Sequence, residues 1–248
     1  MVAKNATSRF SSRVDDYIRY RPQYPVEIID LLAARCGLVP DSVVADIGSG
    51  TGILTRLFLD NGNPVIGVEP NREMREAGEH FLADYGRFTS LDATSEATRI
   101  PAGAVDFIIA GQAFHWFDQA KSRVEFMRIL KPEGWTVLIW NDRRTDSTPF
   151  LRDYESLLQE FGTDYNEINH KNVQDKAVFA NFFGAAPQEA VFDNVQRFDL
   201  DGLMGRINSS SYVPGRDDPR HPAMAARARE IFDRNQQRGQ VAFEYDTR

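Results

Sequence analysis

Residues Val43–Thr55 read VVADIGSGTGILT, an apolar run containing Asp46 followed by glycines at the alternate positions 48, 50 and 52. This pattern predicts a buried parallel strand, a tight turn and the start of a helix. Glycine suits such a turn because it adopts positive φ freely and has no Cβ to block a ligand lying against the backbone. The free amide groups of the helix N-terminus make the turn suitable for a nucleotide-like ligand.

The residues around this turn indicate which ligand it takes. The dinucleotide fingerprint G-x-G-x-x-G is not matched, because Ile53 stands where its third glycine would be. A second apolar strand, Pro64–Val68, ends in Glu69, about 20 residues after the turn, where a carboxylate would meet a ribose. The alternative is a glycine-rich turn without a ligand, and the position of Glu69 favours the binding site.

The first 140 residues alternate between predicted strands and helices. That alternation is typical of an α/β protein with a doubly wound, mostly parallel sheet. Lys131–Gly134 is predicted to be a turn. The strands are predicted near residues 43–47, 64–68, 87–91, 105–110 and 135–140.

The pattern changes after Trp140. Helical periodicity dominates 141–187 and 200–237, which predicts a helical insertion or cap after the fifth strand. Two further strands are predicted near 190–198 and 239–245.

Composition limits the function classes. The chain has 248 residues and a net charge of −7, which predicts a single domain over 1–248 and no basic face for nucleic acid. With only Cys36 and four histidines lacking metal-ligand spacing, we expect no metal site. No apolar run reaches the roughly 18 residues of a membrane span, and the N-terminus lacks a signal-peptide core. We therefore expect a cytoplasmic protein that binds no membrane, as a monomer or weak homodimer.

The pattern D-x-G-x-G-x-G of Asp46–Gly52, together with Glu69, resembles motif I of the class I S-adenosylmethionine-dependent methyltransferases. The N-terminal aromatic segment and His115-Trp116-Phe117 are similar to small-molecule enzymes of the trans-aconitate methyltransferase type. The resemblance implies a Rossmann-like, seven-stranded sheet whose last strand enters antiparallel. Further matching segments are Val65–Asn71, Asp92–Thr94, Ala104–Ile108 and Leu130–Gly134.

The resemblance also implies a cofactor, S-adenosyl-L-methionine, and a product, S-adenosyl-L-homocysteine. The three glycines would meet the methionine part, Glu69 would accept from both ribose hydroxyls, and Asp92 would accept from the adenine amino group. A lid and helix over residues 1–36 would close on the cofactor. The implied cofactor-binding residues are Tyr17, Arg21, Asp46, Gly48, Gly50, Gly52, Glu69, Asn71, Asp92, Ala93 and Gln112.

The acceptor is expected to be a small molecule, O-methylated on a carboxylate or a similar oxygen. A carboxylate is ionised near neutral pH and needs no general base, whereas an N or C acceptor would need one, with His115 as the first candidate. Substrate-binding candidates are Trp116, Tyr212 and Arg143, the last as a cationic partner. A nucleotide-dependent oxidoreductase on a similar sheet and a non-catalytic cofactor-binding module remain alternatives.

Overall fold

A parallel sheet of five strands forms the first half of the chain in the computed structural model, which describes residues 18–163, 165, 176–210 and 212–248. In chain order the strands are β1 (Val44–Ile47), β2 (Val65–Val68), β3 (Phe88–Leu91), β4 (Val105–Gly111) and β5 (Leu130–Ile139). Their order in the sheet, β3-β2-β1-β4-β5, reverses direction between β1 and β4 and confirms the doubly wound prediction. Ligands bind at the carboxyl ends of the strands beside such a switch point.

Helices pack on both faces of this sheet and bury its apolar side chains. Helix α1 (Glu27–Cys36) is followed by its cap residue Gly37, which adopts φ +71°. Helix α3 (Arg72–Phe81) is preceded by its cap residue Asn71, whose side chain accepts from two backbone amides of the first turn. The predicted cap at Asn71 is therefore confirmed. The helices are α1 (Glu27–Cys36), α2 (Ile53–Asp60), α3 (Arg72–Phe81) and α4 (Gln119–Ile129).

The second half of the chain forms an antiparallel sheet in the order β6-β8-β7, and its described residues include four helices. Its own apolar core includes Tyr154, Leu157, Ile207 and Phe243. The elements are β6 (Asn141–Arg143), α5 (Pro149–Phe161), α6 (Lys176–Phe183), β7 (Phe192–Phe198), α7 (Leu200–Asn208), α8 (His221–Asn235) and β8 (Val241–Thr247).

The described residues form eight strands instead of the expected seven. The additional strand is β6, which continues β5 beyond Trp140 and belongs to the second sheet. The N–H and C=O groups of Trp140 pair with the C=O and N–H of Arg248 at 2.9 and 2.8 Å. The two sheets therefore meet at this residue. β8 runs antiparallel to both β6 and β7, as predicted for the last strand.

Two local predictions were wrong. The expected turn Lys131–Gly134 lies inside β5. The pairing register between β4 and β5 shifts there, since Leu130 pairs with Val105 but Trp135 pairs with Phe107. Such extra residues form a bulge, and Lys131 holds it with an ion pair to Asp106 at 2.8 Å. The expected helical segment 141–187 opens instead on the strand β6.

Residues 1–17, including Tyr17, lie outside the described residues. The described part of the predicted 1–36 segment contains α1. Within the described residues, no helix is both long and apolar enough to cross a membrane.

The turn between β1 and α2 requires glycine on steric grounds. Gly48, Gly50 and Gly52 have φ values of +73°, +56° and +82°. A Cβ on Gly48 would lie 2.6 Å from the Cβ of Ala113, which has no rotamer freedom to move away. The segment after β4 therefore packs directly on the turn.

Replacing Gly48 with Ala is expected to destabilise the protein more than replacing Gly37 with Ala. Both positions have positive φ, which costs about 1–2 kcal/mol for an L side chain, but a Cβ on Gly37 meets nothing within 4 Å. Gly48→Ala adds a steric overlap of the kind that costs about 1–3 kcal/mol. Urea unfolding of both variants measures the difference, and equal losses would contradict the packing described here.

Candidate functional site

The carboxylate of Glu69, just after β2, joins the glycine turn to α3. Its Oε2 accepts from the amide of Gly50 at 2.9 Å, and its Oε1 accepts from the amide of Asn71 at 2.7 Å. Burial raises the pKa of Glu69, and these two amide bonds oppose the rise. Because an ionised carboxylate accepts about four hydrogen bonds, it keeps acceptor capacity for a ligand hydroxyl.

Asp46 lies inside β1 and is almost completely buried. Its Oδ2 accepts from the hydroxyl of Thr55 at 2.6 Å. Burial raises its pKa from 3.8 to about 7, the Thr55 hydrogen bond opposes the rise, and the charge of Glu69 adds to it. A cationic ligand group nearby would favour the ionised form of this carboxylate.

The hydroxyl of Thr51 is an orphaned polar atom in the turn itself. The residue is 1% exposed, and its Oγ1 finds no hydrogen-bond partner within the described residues. A buried hydroxyl without a partner is costly. It therefore fits a polar ligand seated against Gly48–Gly52.

Arg75 is a site residue that the sequence reasoning missed. From α3 it donates to the carbonyl of Glu69 at 2.9 Å and forms an ion pair with Asp92 at 3.2 Å. Asp92 follows β3 and is 65% exposed in its side chain, while Ala93 beside it is buried. The signal was available, because Arg75 lies one helical turn after the Asn71 cap and so faces the end of β2.

Asn71 serves first as the cap of α3. Its Oδ1 accepts from the amides of Glu73 and Met74 at 3.0 and 3.1 Å, and the residue is 6% exposed. The adenine contact expected of its side chain remains a prediction.

Gln112 stands at the carboxyl end of β4 in a strained conformation. Its φ of +57° is rare for a residue other than glycine. Its amide nitrogen donates to the carbonyl of Asn141 at 3.2 Å, so the side chain links the end of β4 to β6. Outliers of this kind cost about 1–3 kcal/mol and cluster at functional sites.

His115 and Trp116 follow Gln112 in a single 3-10 turn, Phe114–Trp116. Their rings lie 4.6 Å apart, and both residues are half-buried. The turn therefore places both side chains at the same end of the sheet as the glycines.

Arg21 forms two hydrogen bonds with the second half of the chain. Its Nη2 donates to the carbonyl of Ser209, just after α7, at 3.0 Å. Its own carbonyl accepts from Gln196 of β7 at 3.1 Å. The structure thus brings Arg21 to the second half of the chain, and its predicted bond to the cofactor carboxylate remains a prediction.

Arg143, on β6, anchors a buried group of arginines and tyrosines. Its Nη2 donates to Glu155 at 2.5 Å and to the hydroxyl of Tyr165 at 3.0 Å, and its guanidinium lies 4.9 Å from the ring centre of Tyr154. Its Nη1 is buried without a hydrogen-bond partner in the described residues, and so is the hydroxyl of Tyr154. Two donors are therefore left for a ligand.

Arg206, on α7, contributes a second buried guanidinium to this group. The residue is 4% exposed, and it bonds the hydroxyls of Ser210 at 3.0 Å and Tyr245 at 3.4 Å. No carboxylate of the described residues lies within the 4.0 Å of an ion pair. A buried charge without an opposite charge is costly by several kcal/mol.

The positive charges of the group lower the pKa of the Tyr212 hydroxyl. Burial alone would raise its pKa, but the charges of Arg206 and Arg21, a hydrogen bond with Ser210 and the charge of Arg143 together hold its pKa below the usual range. This direction indicates a local field that stabilises an anion. We call Arg143, Tyr154, Arg206 and Tyr212 the arginine–tyrosine cluster.

The arginine–tyrosine cluster lies beyond the carboxyl edge of the parallel sheet. Arg143 is two residues after Asn141, whose carbonyl bonds Gln112, and two strand residues span about 7 Å. A Cβ on Gly111 would lie 2.6 Å from the hydroxyl of Tyr24, so the N-terminal segment also reaches this edge. The arginine–tyrosine cluster and the glycine turn therefore lie at the same end of the parallel sheet.

Comparison with known proteins agrees with this geometry. Residues 45–138 match the family model of a methyltransferase domain. An uncharacterized methyltransferase of Mycobacterium tuberculosis is 37% identical over 137 residues, which are 54% of this chain and 52% of that protein. The chain thus spans about half the length of that relative. An uncharacterized methyltransferase of Schizosaccharomyces pombe is 27% identical over 210 residues, 82% of this chain and 79% of that protein.

A solved structure from Anaeromyxobacter dehalogenans has the same fold. It is provisionally assigned as a type II methyltransferase and aligns with a TM-score of 0.68 at 18% identity, covering 92% of this chain and 95% of that one. At this identity the likeness concerns the fold alone.

Asp46→Asn is expected to remove a pH dependence of stability. Because the folded-state pKa of Asp46 is raised to about 7, its contribution to the unfolding free energy falls as pH rises from 5 to 7, by about 1.4 kcal/mol per pH unit. Asp106→Asn is the control, since the Lys131 ion pair helps to lower the pKa of Asp106 despite the opposing effect of its burial. Urea titrations between pH 5 and 8 measure both, and an unchanged slope in Asp46→Asn would contradict the burial argument.

Proposed function

We propose that this protein transfers a methyl group from S-adenosylmethionine to a carboxylate oxygen of a small-molecule acceptor. The match of residues 45–138 to a methyltransferase domain model and the similarity to relatives named methyltransferases support the reaction class. The observation that carries the proposal is Arg206, a buried guanidinium without a carboxylate partner among the described residues. An acidic acceptor supplies the missing negative charge.

The glycine turn and its neighbours would hold the cofactor. The glycines at 48, 50 and 52 would let the methionine part approach the backbone of the turn. The remaining acceptor sites of the Glu69 carboxylate would bind the ribose hydroxyls, and Asp92, oriented by Arg75, would accept from the adenine amino group. Asp46 favours the cofactor ammonium group because a nearby cation lowers the cost of its buried charge. The orphaned hydroxyl of Thr51 gives this part of the site one further polar contact.

The arginine–tyrosine cluster would hold the acceptor. The free Nη1 of Arg143 and the hydroxyl of Tyr154 are donors without partners in the described residues, and Arg206 adds a charge. Charge-assisted hydrogen bonds of this kind are short and directional. Helix α5 carries Tyr154, α7 carries Arg206, and α8 packs against both helices. These three helices would form the acceptor-side cover, with Trp116 as a wall near the glycine turn.

Methyl transfer depends mainly on the alignment of the donor methyl group with the acceptor oxygen and on the exclusion of water from the site. The bound cofactor supplies an electrophilic sulfonium methyl group. The protein holds the acceptor oxygen in line with it and keeps the site dry, which can contribute several kcal/mol to the barrier reduction. Since a carboxylate is already ionised at neutral pH, His115 acts as a wall rather than as a base.

Glu69→Ala is expected to weaken binding of S-adenosylhomocysteine by at least about tenfold, because hydrogen bonds to a charged group are each worth about 1.5–3 kcal/mol. Calorimetric titration measures the affinity, with NAD as a ligand control. Glu76→Ala is the matched control, since Glu76 is exposed on α3 and pairs only with Arg72 among the described residues. Tight binding of NAD would contradict the proposed methyltransferase activity and favour the alternative, a nucleotide-dependent oxidoreductase.

Tyr154→Phe is expected to raise the half-saturating acceptor concentration about tenfold, since it removes one hydrogen bond to an anion, while leaving the unfolding free energy unchanged or higher. The variant isolates binding from folding because the Tyr154 hydroxyl has no partner in the described residues. The assay supplies S-adenosylmethionine with a panel of small carboxylic acids and detects methyl esters by mass spectrometry.

Arg206→Met is expected to lose acceptor methylation altogether while retaining S-adenosylhomocysteine binding. Arg72→Met is its control, because Arg72 lies exposed on α3. If neither Tyr154→Phe nor Arg206→Met changes acceptor saturation, the cluster is not the acceptor site. If only amines or carbon acids are methylated, the carboxylate proposal is wrong, and a general base such as His115 is required.

A further inference from the structure

The arginine–tyrosine cluster holds more positive than negative charge among the described residues. The guanidinium of Arg143 pairs with Glu155, whereas no carboxylate of the described residues lies within ion-pair distance of Arg206, which is 4% exposed. Arg21 adds a further positive charge that acts on the Tyr212 hydroxyl. Because water cannot solvate a charge at the depth of Arg206, an anion bound beside it would stabilise the folded protein.

Two hydrogen-bond donors of the cluster are left without an acceptor. The Nη1 of Arg143 and the hydroxyl of Tyr154 are buried and have no partner in the described residues. Burial raises the pKa of Tyr154 above its usual value of about 10, and the charges of Arg206 and Arg143 oppose the rise. The hydroxyl is therefore protonated at neutral pH, serves as a donor, and lies within reach of both guanidinium charges.

Aromatic rings join the two guanidinium groups into one continuous cluster. The guanidinium of Arg143 lies 4.9 Å from the ring centre of Tyr154. The Tyr154 ring meets Phe243 edge to face, with the ring centres 4.8 Å apart. Arg206 completes the series, with its guanidinium 5.7 Å from the ring centre of Phe243. An ion bound among these rings would lose most of its hydration shell.

These surroundings favour a monovalent anion over a polyvalent one. Arg206 leaves one positive charge without a carboxylate of the described residues, and one negative charge neutralises it. Since removing an ion from water costs more as its charge increases, walls formed by the rings of Tyr154 and Phe243 disfavour sulfate and phosphate. Chloride carries a single charge and accepts from several N–H and O–H donors at once, which matches the two donors without partners.

Tyr165 and Tyr212 bring the cluster to the protein surface. Both residues are only partly buried, and their ring centres lie 5.2 Å apart. The hydroxyl of Tyr165 accepts from the guanidinium of Arg143 at 3.0 Å, so the cluster extends from its buried end to these two rings. An anion from solvent would enter on this side.

We propose that the arginine–tyrosine cluster binds one chloride ion when no acceptor is present, and that chloride and the acceptor compete for the cluster. The ion accepts from the Nη1 of Arg143 and the hydroxyl of Tyr154, and it neutralises Arg206. The chloride site follows from the cluster alone, whereas the competition rests on the proposed function, in which the acceptor carboxylate binds at the same place. Chloride then regulates the reaction through acceptor saturation and leaves kcat unchanged.

Chloride NMR on the full chain tests the site, because exchange with a protein site broadens the chloride resonance. Bromide is expected to remove the excess linewidth, whereas sulfate at equal ionic strength leaves most of it. Arg206→Met is expected to weaken chloride binding at least about tenfold, since it removes a charged hydrogen-bonding partner. Arg72→Met is the matched control, because Arg72 lies exposed on α3, and it retains the excess linewidth.

Tyr154→Phe keeps the test decisive if Arg206→Met folds poorly. Its hydroxyl has no partner in the described residues, so the variant folds, and it is expected to weaken chloride binding at least about threefold. Cooperative urea unfolding shows that each variant is folded. An unchanged linewidth in both variants would overturn the proposal, as would displacement by sulfate that equals displacement by bromide.

Steady-state kinetics test the competition, with sodium chloride replacing sodium sulfate at constant ionic strength. The half-saturating concentration of the methylated acid is expected to rise about fourfold when chloride is at three times its dissociation constant, while kcat stays the same. Acceptor saturation that does not respond to chloride would overturn the competition. If no acid of the panel is methylated, the proposed function fails, and the NMR experiment still decides whether the cluster binds chloride.

Discussion

Steric room at the β1–α2 turn is the constraint on which the rest of the site depends. Only glycine at position 48 lets the segment after β4 approach until Ala113 touches the turn. On the other side, Gly78 lets α3 come close enough that a Cβ there would lie 3.1 Å from the carbonyl of Gly50. The carboxylate of Glu69 can then reach an amide of the turn. Two missing side chains thus set the geometry of a polar site.

The arginine–tyrosine cluster contains a buried positive charge, that of Arg206, which no carboxylate of the described residues neutralises. Glu155 balances Arg143, but Arg206 rests on hydroxyls and on the ring of Phe243, 5.7 Å away. Aromatic rings offset only part of the cost of a buried cation. The strained φ of Gln112, at the neighbouring strand end, is a second local cost. Costs of this kind are commonly found at sites that bind a ligand.

Local patterns made much of the fold predictable. The alternation of strands and helices, the glycine turn and the Asn71 cap each depend on residues close together in sequence, and all three agree with the structure. The errors occurred where distant contacts override local preference. Lys131–Gly134 has the composition of a turn, yet the ion pair from Lys131 to Asp106 holds it inside β5 as a bulge.

The sequence by itself therefore determined the parallel sheet, the glycine turn after β1 and the acid after β2, because periodicity, glycine and strand ends are local properties. Tertiary structure alone decided which arginines meet. Arg143 and Arg206 are 63 residues apart in number, and nothing near either one indicates that Glu155 pairs with the first and no described acid with the second. Such pairing depends on how distant segments pack.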